Sequence, residues 1–228
     1  MDSRIHITRY GGAPKLVMES LYNYKLIFWD FDGVIKESIE VKTQAFVKLF
    51  EPFGGELAER VREHHLAHGG MSRFDKLPLY LQWAGEEPTQ ARVSAFCDQF
   101  GQLVLQGVIN APWVPGCETY LRSNSHQQIF ILVSATPQDE LEQILHTLDL
   151  TGCFSEVFGA PIRKNDAIRM TLAARGLAPH DCLMIGDARA DLEAAEANQV
   201  PFMLRHHETN SDVFAGYTGF SVRDFTAL

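Results

Sequence analysis

The stretch of sequence that decides the fold is KLIFWDFDGVI, residues 25–35. It starts as a continuous apolar run, which is typical of a strand that is covered on both faces. The run ends in two aspartates two positions apart, Asp30 and Asp32, with Gly33 directly behind them. Carboxylates this close repel each other, so they need a cation, a chemical role or an exposed turn. The purely structural alternative is an Asp-Gly turn after the strand.

The composition is that of an ordinary globular protein. The chain has 228 residues, of which 46% are hydrophobic and 21% charged; it has room for one large domain, or for one domain with a smaller insertion. A net charge of −9 argues against nucleic acid or an acidic membrane as a partner. Four scattered cysteines without a CxxC pair, no signal-like N-terminus and no membrane-length apolar run predict a cytoplasmic protein. Its oligomeric state does not follow from the sequence.

Strands and helices alternate in the second half of the chain. The runs IFILVS (129–134), SEVFG (155–159), CLMIGD (182–187) and VPFML (200–204) are predicted strands. Helices are predicted between them, over 137–148, 165–175 and 192–197. Alternation of this kind indicates a parallel sheet flanked by helices, which the strand at 25–30 completes. The predicted fold class is therefore α/β, with a Rossmann-like core.

The segment between these two parts has helical periodicity instead. Apolar residues recur at helical spacing from about 36 to 110, and Ser72 followed by Asp75 suits a helix N-cap. We therefore predict an inserted helical cap at 36–111 over a core formed by 25–35 and 112–228. Residues 1–24 are predicted to form an irregular arm.

Polar side chains follow several of the predicted strands. They are Asp30 and Asp32 after the first strand, Ser134 and Thr136 after IFILVS, Lys164 at the entrance to a helix beyond SEVFG, and Asp187 with Asp191 after CLMIG. The carboxyl ends of parallel strands meet at one edge of a sheet, and open α/β sheets bind their ligands there. We expect these side chains to converge on one site.

The motifs DFDGVI, VSAT, Lys164 and GDARAD, in this order, resemble those of the haloacid dehalogenase superfamily. The helical insertion directly after the first motif resembles the capped phosphatase branch, which includes phosphoglycolate phosphatases and β-phosphoglucomutases. The resemblance covers about residues 25–204. It implies a phosphatase that uses Mg²⁺ and an aspartyl-phosphate intermediate to hydrolyse a small phosphorylated metabolite, such as a sugar phosphate.

The resemblance also implies roles for the four aspartates. Asp30 would attack phosphorus, and Asp32 would protonate the leaving oxygen and later activate water. A dehalogenase does not need this second carboxylate in the same way, so Asp32 favours phosphoryl transfer. Mg²⁺ would be bound by Asp30, the backbone carbonyl of Asp32, and Asp187, with Asp191 helping directly or through water.

The remaining implied roles concern the phosphate and the rest of the substrate. Ser134 and backbone amides beside it, such as that of Ala135, would hold phosphate oxygens. Lys164 would contact both the phosphate and Asp30. In the stretch HGGMSRFDKL (68–77), which resembles a substrate loop of the cap, Arg73 would bind a second anionic group and Lys76 would assist.

Structural readings compete with several of these roles. Ser134 would also serve as a helix N-cap, and Lys164 as a solvated lysine beside a capping Asn165 or Asp166. Asp191 would be a first-turn acid, and Arg73 a surface arginine on a capped helix. Two functional alternatives stay open as well. One is a phosphomutase, in which Arg73 would grip a second phosphate, and the other is a ligand-binding member of the fold without catalytic activity.

Overall fold

The computed structural model describes residues 21–124 and 126–226, and this part of the chain contains one six-stranded sheet. Its strands are Leu26–Trp29 (β1), Ile129–Pro137 (β2), Glu156–Ala160 (β3), Cys182–Gly186 (β4), Phe202–Arg205 (β5) and Phe220–Val222 (β6). The spatial order is β3-β2-β1-β4-β5-β6, and every neighbouring pair is parallel. The predicted Rossmann-like α/β class is confirmed.

Strand β1 lies in the middle of the sheet and is buried on both faces. Leu26 and Phe28 pack into the apolar cluster on one face, whereas Ile27 and Trp29 pack into the cluster on the other. All four are inaccessible to solvent, which explains why the sequence is continuously apolar here rather than alternating. The two aspartates that follow β1 therefore lie at the centre of the carboxyl edge.

The chain between β1 and β2 contains four long helices, as the periodicity predicts. They are Ile39–Phe50 (α1), Gly55–Ala67 (α2), Arg73–Trp83 (α3) and Gln90–Asn110 (α4), followed by the short Cys117–Ser123 (α5). Ser72 caps α3, because its Oγ accepts a hydrogen bond from the N–H of Asp75 at 3.3 Å. The inserted helical cap in the predicted fold class is confirmed; the boundaries 36 and 111 stay a prediction.

The remaining helices connect the strands of the core. They are Gln138–Thr147 (α6), Lys164–Arg175 (α7) and Arg189–Ala197 (α8). Strand β2 runs to Pro137, three residues farther than predicted, with a shift in its pairing to β3 between Val133 and Pro137. Strand β6 was not predicted, since three residues are too few for a periodic signal.

The N-terminal arm predicted at 1–24 falls largely outside the described residues. Of its last four residues, Leu21 is fully buried, and its carbonyl accepts a hydrogen bond from Gln128 Nε2 at 2.8 Å. Within the described residues, no helix combines the length and the apolar character that crossing a membrane requires.

The loop between α2 and α3 brings the helical insertion down onto the core. A Cβ built on Gly69 would lie 3.2 Å from Cβ of Ala188, and one on Gly70 would lie 2.9 Å from Cβ of Ala190. Both alanines belong to the segment that follows β4. The insertion therefore covers the carboxyl edge of the sheet and leaves a cavity beneath it.

Candidate active site

An open cavity of about 80 Å³ lies between the insertion and the sheet. Charged and polar residues from both parts of the chain line it. The core contributes Asp30, Asp32, Ala135, Thr136, Lys164 and Asp187, and the insertion contributes Lys42, Arg73 and Lys76. Most of the residues singled out from the sequence are thus brought to one place.

Asp30 and Lys164 form the centre of this site. The Asp30 N–H donates to the carbonyl of Ile185 in β4 at 3.0 Å, and its Oδ1 accepts from the Phe31 N–H at 2.7 Å. Lys164, the first residue of α7, places its Nζ 2.9 Å from the same Oδ1. Both side chains are only 6% exposed, so the reading of Lys164 as a solvated lysine is excluded.

Lys164 also joins Asp30 to Asp191 of α8. Its Nζ lies 2.5 Å from Oδ1 of Asp191, while Oδ2 of that aspartate accepts from the Ala188 N–H at 3.0 Å. Asp191 therefore stabilises the start of α8, as the structural reading expected, and also contacts the central lysine. Burial alone would favour the neutral amine, but the carboxylates of Asp191 and Asp30 outweigh it and raise the pKa of Lys164.

Three buried carboxylates approach one another here with one lysine among them. Asp30, Asp187 and Asp191 each offer one oxygen, and these oxygens lie within 4.8 Å of one another. Burial raises the pKa of Asp30 to about 7; Lys164 opposes the shift, and Asp191 and Asp32 add to it. Burial likewise raises the pKa values of Asp187 and Asp191. A divalent cation with a preference for oxygen ligands would relieve this repulsion, so the residues fit Mg²⁺.

Gly33 makes room for the carboxylate of Asp187. Its φ of +75° lies in the left-handed region, and a Cβ there would overlap Oδ2 of Asp187 and lie 2.8 Å from its Cγ. Glycine is the residue that meets both conditions. This explains why the Asp-x-Asp sequence continues with glycine.

Asp32 has a different environment from Asp30. Its carboxylate accepts from Ser38 Oγ at 2.6 Å and from Thr136 Oγ1 at 3.4 Å, and it pairs with the Lys42 ammonium from α1. Burial by itself would raise the pKa of Asp32, but Lys42 and Ser38 hold it below its ordinary value. The two aspartates of one motif are thus tuned in opposite directions, as expected for groups with different tasks.

The predicted phosphate-binding residues lie at the end of β2. Ala135 and Thr136 line the cavity, whereas Ser134 is buried beside them, and its Oγ accepts from the Thr136 N–H at 3.2 Å. Because β2 continues to Pro137, Ser134 is a strand residue and not the N-cap of α6. Its role toward phosphate stays a prediction.

Arg73 and Lys76 both lie in the cavity wall, and both have protein partners. The Arg73 guanidinium donates to both carboxylate oxygens of Glu140, at 2.8 and 2.7 Å. Lys76 is 1% exposed, and its Nζ lies 2.8 Å from Nδ1 of His65. Burial, with a contribution from Lys42, lowers the pKa of Lys76 to about 7. The predicted substrate contacts of both residues stay predictions.

Several residues of the site escaped the sequence analysis. Lys42 reaches Asp32 from α1, and Glu140 pairs with Arg73 from the first turn of α6. His207 Nε2 lies 2.9 Å from Oδ2 of Asp187, and Asn210 Nδ2 donates to the backbone carbonyl of Asp187 at 2.9 Å. His207 and Asn210 come shortly after β5, so the strand-end rule applied to that strand would have found them.

Fold and site together define a capped α/β enzyme with a carboxylate-rich site that suits a divalent cation. A model of the haloacid dehalogenase-like hydrolases matches residues 24–198, and the chain belongs to this family. The resemblance expected from the motifs is thereby confirmed.

Similar proteins agree with this assignment. Phosphoglycolate phosphatase 1 of Pseudomonas aeruginosa is 25% identical over 183 residues, which cover 76% of this chain and 66%, just under two thirds, of that protein. A predicted phosphoglycolate phosphatase from Haemophilus somnus has a structure with a TM-score of 0.70, 18% identity and coverage of 89% and 95% of the two chains. β-Phosphoglucomutase from Clostridium difficile has a structure with a TM-score of 0.69 and 18% identity. The match covers 90% of this chain and 93% of that one. At these identities the structures show a shared fold.

Proposed function

We propose that the protein is a Mg²⁺-dependent phosphatase that hydrolyses a small phosphomonoester through an aspartyl-phosphate intermediate. The observation that carries the proposal is the convergence of the buried side chains of Asp30, Lys164 and Asp187, from three distant segments, on one cavity. Family membership and the phosphatase name of the Pseudomonas relative support it. The cytoplasm is the proposed location; all four cysteines are free thiols, in keeping with that prediction.

The proposed reaction begins with attack by Asp30. Its carboxylate forms a bond to phosphorus as the ester P–O bond breaks, and Asp32 gives a proton to the departing oxygen. Lys164 holds the Asp30 carboxylate in position and balances charge on the transferred group. The bound metal, held by Asp30, Asp187, Asp191 and the Asp32 carbonyl, would supply charge neutralisation for two anionic reactants.

The second half of the proposed reaction releases phosphate. Asp32 takes a proton from a water molecule, the water oxygen bonds to phosphorus, and the acyl-phosphate bond breaks to regenerate Asp30. The pairing of Asp32 with Lys42 favours its ionised form, which is the form that this step requires. For the first half of the reaction, Asp32 must take up its proton against the same pairing. We propose that the N–H group of Ala135, together with Ser134, holds the phosphate oxygens, and that Lys76 faces the rest of the substrate.

The phosphomutase alternative has less support from the site. A mutase must hold a second phosphate, and Arg73, the residue expected to do so, is paired with Glu140. We therefore propose transfer of the phosphoryl group to water.

A panel of metabolite phosphomonoesters with Mg²⁺ tests this function by the phosphate that is released. We expect Asp30→Asn to lower turnover by at least about a thousandfold without unfolding the protein, because the amide cannot act as the nucleophile. The matched control is Asp166→Asn, which changes an exposed aspartate of α7. Near-normal turnover in Asp30→Asn would remove Asp30 from its role. An isomeric phosphosugar without net phosphate would indicate a mutase, and binding without turnover would indicate a ligand-binding protein.

A further inference from the structure

The insertion brings three basic side chains to the cavity, and each of them already has a partner. Lys42 pairs with Asp32, and Lys76 contacts the His65 imidazole. Arg73 pairs with Glu140, which comes from α6 and lies outside the residues that line the cavity. Glu140 has no part in the proposed reaction, so its pairing with Arg73 calls for a separate explanation.

The Arg73–Glu140 pair is a tightly built contact. Both guanidinium nitrogens of the fork donate to the carboxylate, at 2.8 and 2.7 Å, and the two side chains are 5% and 12% exposed. The guanidinium carbon also lies 4.5 Å from the centre of the Phe100 ring. The neighbouring Gly101 leaves space for the pair, since a Cβ there would lie 3.2 Å from both Nη1 of Arg73 and Oε2 of Glu140. Bidentate pairs of this kind are strong and fixed in orientation.

The other basic residues of the cavity are less suited than Arg73 to bind a second anion. Lys76 is only 1% exposed, and its Nζ already contacts Nδ1 of His65. Lys164 is held between Asp30 and Asp191. Arg189 donates to the carbonyl of Val213 at 3.0 Å and is exposed, so solvent and salt weaken its attraction for an anion. A second anionic group of a substrate would have to displace Glu140 from Arg73, which would leave a largely buried carboxylate without its partner. Separating such a pair is costly.

We propose that Glu140 determines specificity by occupying Arg73, so that the cavity accepts phosphomonoesters whose remaining part is uncharged. The inference rests on the proposed function and narrows its substrate class. Glu140 acts through Arg73 and is a positioning residue: it sets the charge that the cavity wall presents to the part of the substrate beyond the phosphate. Substrates with a carboxylate or a second phosphate would be disfavoured.

Two probes that differ in one group test this directly. 2-Phosphoglycolate and 2-hydroxyethyl phosphate are both two-carbon phosphomonoesters, but the first ends in a carboxylate and the second in a hydroxyl. Their dissociation constants are measured calorimetrically with Mg²⁺ in an Asp30→Asn background, where turnover is expected to be too slow to consume the probes during the titration. With Glu140 present, we expect 2-hydroxyethyl phosphate to bind at least as tightly. Glu140→Gln should tighten phosphoglycolate at least about tenfold relative to 2-hydroxyethyl phosphate, because Arg73 is released for a charge-assisted bond.

Three variants separate this role from a structural one. Glu140→Asp keeps the charge and should restore the original ratio, and Arg73→Gln combined with Glu140→Gln should abolish the gain. Glu142→Gln changes a glutamate on the same helix, α6, and should have no effect. General loosening of the cap would weaken both probes equally. An unchanged ratio in Glu140→Gln, a preference for phosphoglycolate with Glu140 present, or binding of neither probe would overturn the inference.

These results are independent of whether the wild-type protein turns over. If no ester releases phosphate, the proposed function fails while the binding ratio still decides the role of Glu140. If esters are hydrolysed and the ratio does not move, the function stands and the specificity role falls.

Discussion

Asp32 sits two residues from Asp30, yet the surroundings of the two carboxyl groups differ in a way that kinetics can detect. In Asp32→Asn, p-nitrophenyl phosphate should still transfer its phosphoryl group to Asp30, because nitrophenolate departs without a proton. Hydrolysis of the intermediate should then stall for lack of a base. Rapid-quench measurement should show a burst of nitrophenol close to one equivalent, followed by turnover at least about a hundredfold slower than in the wild type.

An alkyl phosphate should give no burst in the same variant, since its alkoxide leaves only with a proton, which Asp32 is proposed to supply. Ser211→Ala, a change to a hydroxyl outside the cavity lining, serves as the control. Slow turnover of both esters without any burst would mean that Asp32 does not act in the second step.

Lys76 permits a pH test of the cavity that is independent of turnover. Its pKa in the folded protein is about 7, against 10.5 as the ordinary value, mainly because of burial, with Lys42 lowering it and Asp32 opposing. Below about pH 7 Lys76 is protonated in both the folded and the unfolded state, so the cost of burying its charged ammonium is fully present. Between about 7 and 10 only the unfolded state keeps the proton, and this group's contribution to the free energy of unfolding rises by up to about 1.4 kcal/mol per pH unit.

Lys76→Met removes this titration. Urea unfolding at pH 7, 8 and 9 should therefore show the stability of Lys76→Met, relative to wild type, declining as pH rises. Loss of the hydrogen bond to His65 shifts all three values together and does not produce a slope. Lys48→Met, at an exposed position of α1, should show no such trend. If the free energy of unfolding of Lys76→Met differed from that of wild type by the same amount from pH 7 to 9, the lowered pKa of Lys76 would be contradicted.

At the scale of elements, the turn after β1 is the part of the fold on which the site depends most. Gly33→Ala should lower stability by about 1–2 kcal/mol through its positive φ, and should also displace Asp187. Gly85→Ala is a matched control, because Gly85 has the same φ of +75° but no atom within 4 Å of a built Cβ. Gly33→Ala should unfold at a lower urea concentration than Gly85→Ala, because its Cβ also overlaps Asp187, and Gly33→Ala alone should lose phosphatase activity. Equal activity in both would mean that Asp187 tolerates the displacement.

The element scale also shows where sequence patterns work and where they stop. The continuous apolar runs predict β1 and β4 because both faces of a central parallel strand are covered. Helical spacing predicts α1 to α4 because each of these helices buries one apolar face and exposes the other. The edge strand β6 has three residues and only partial burial, so its pairing with β5 is decided by tertiary contacts that no local period records.

At the scale of the whole molecule, the strand-end rule predicts the core half of the site but not the half that the insertion supplies. Asp30, Lys164 and Asp187 follow from the order of strands along the chain. Lys42 reaches Asp32 only because the insertion docks on the core at a particular angle, which is set by contacts such as those of Gly70 with the segment after β4. Glu140, in the first turn of α6, looks like an ordinary acid at a helix N-terminus.

The metal-binding prediction depends on the whole molecule, because Asp30 and the segment that carries Asp187 and Asp191 are far apart in the chain and meet only in the folded state. Mg²⁺ should therefore stabilise folding, by about 2.7 kcal/mol at a concentration one hundred times its dissociation constant. For a chain of this length that corresponds to a rise in Tm of roughly 5–10 °C. The measurement is calorimetry at pH 8, with Mg²⁺ and with EDTA.

The rise in Tm that Mg²⁺ causes should be smaller in acid, because Asp30 becomes protonated there. Its pKa of about 7 in the metal-free protein means that at pH 5.5 the group holds a proton, which Mg²⁺ must displace before it can bind. Apparent affinity should fall roughly tenfold for each pH unit below 7. Asp187→Asn should remove the shift at pH 8, while Asp212→Asn, at an exposed position, should keep it. If Mg²⁺ raised Tm equally at both pH values, or still raised it in Asp187→Asn, the ion would bind somewhere other than these carboxylates. The proposed metal site would then be wrong.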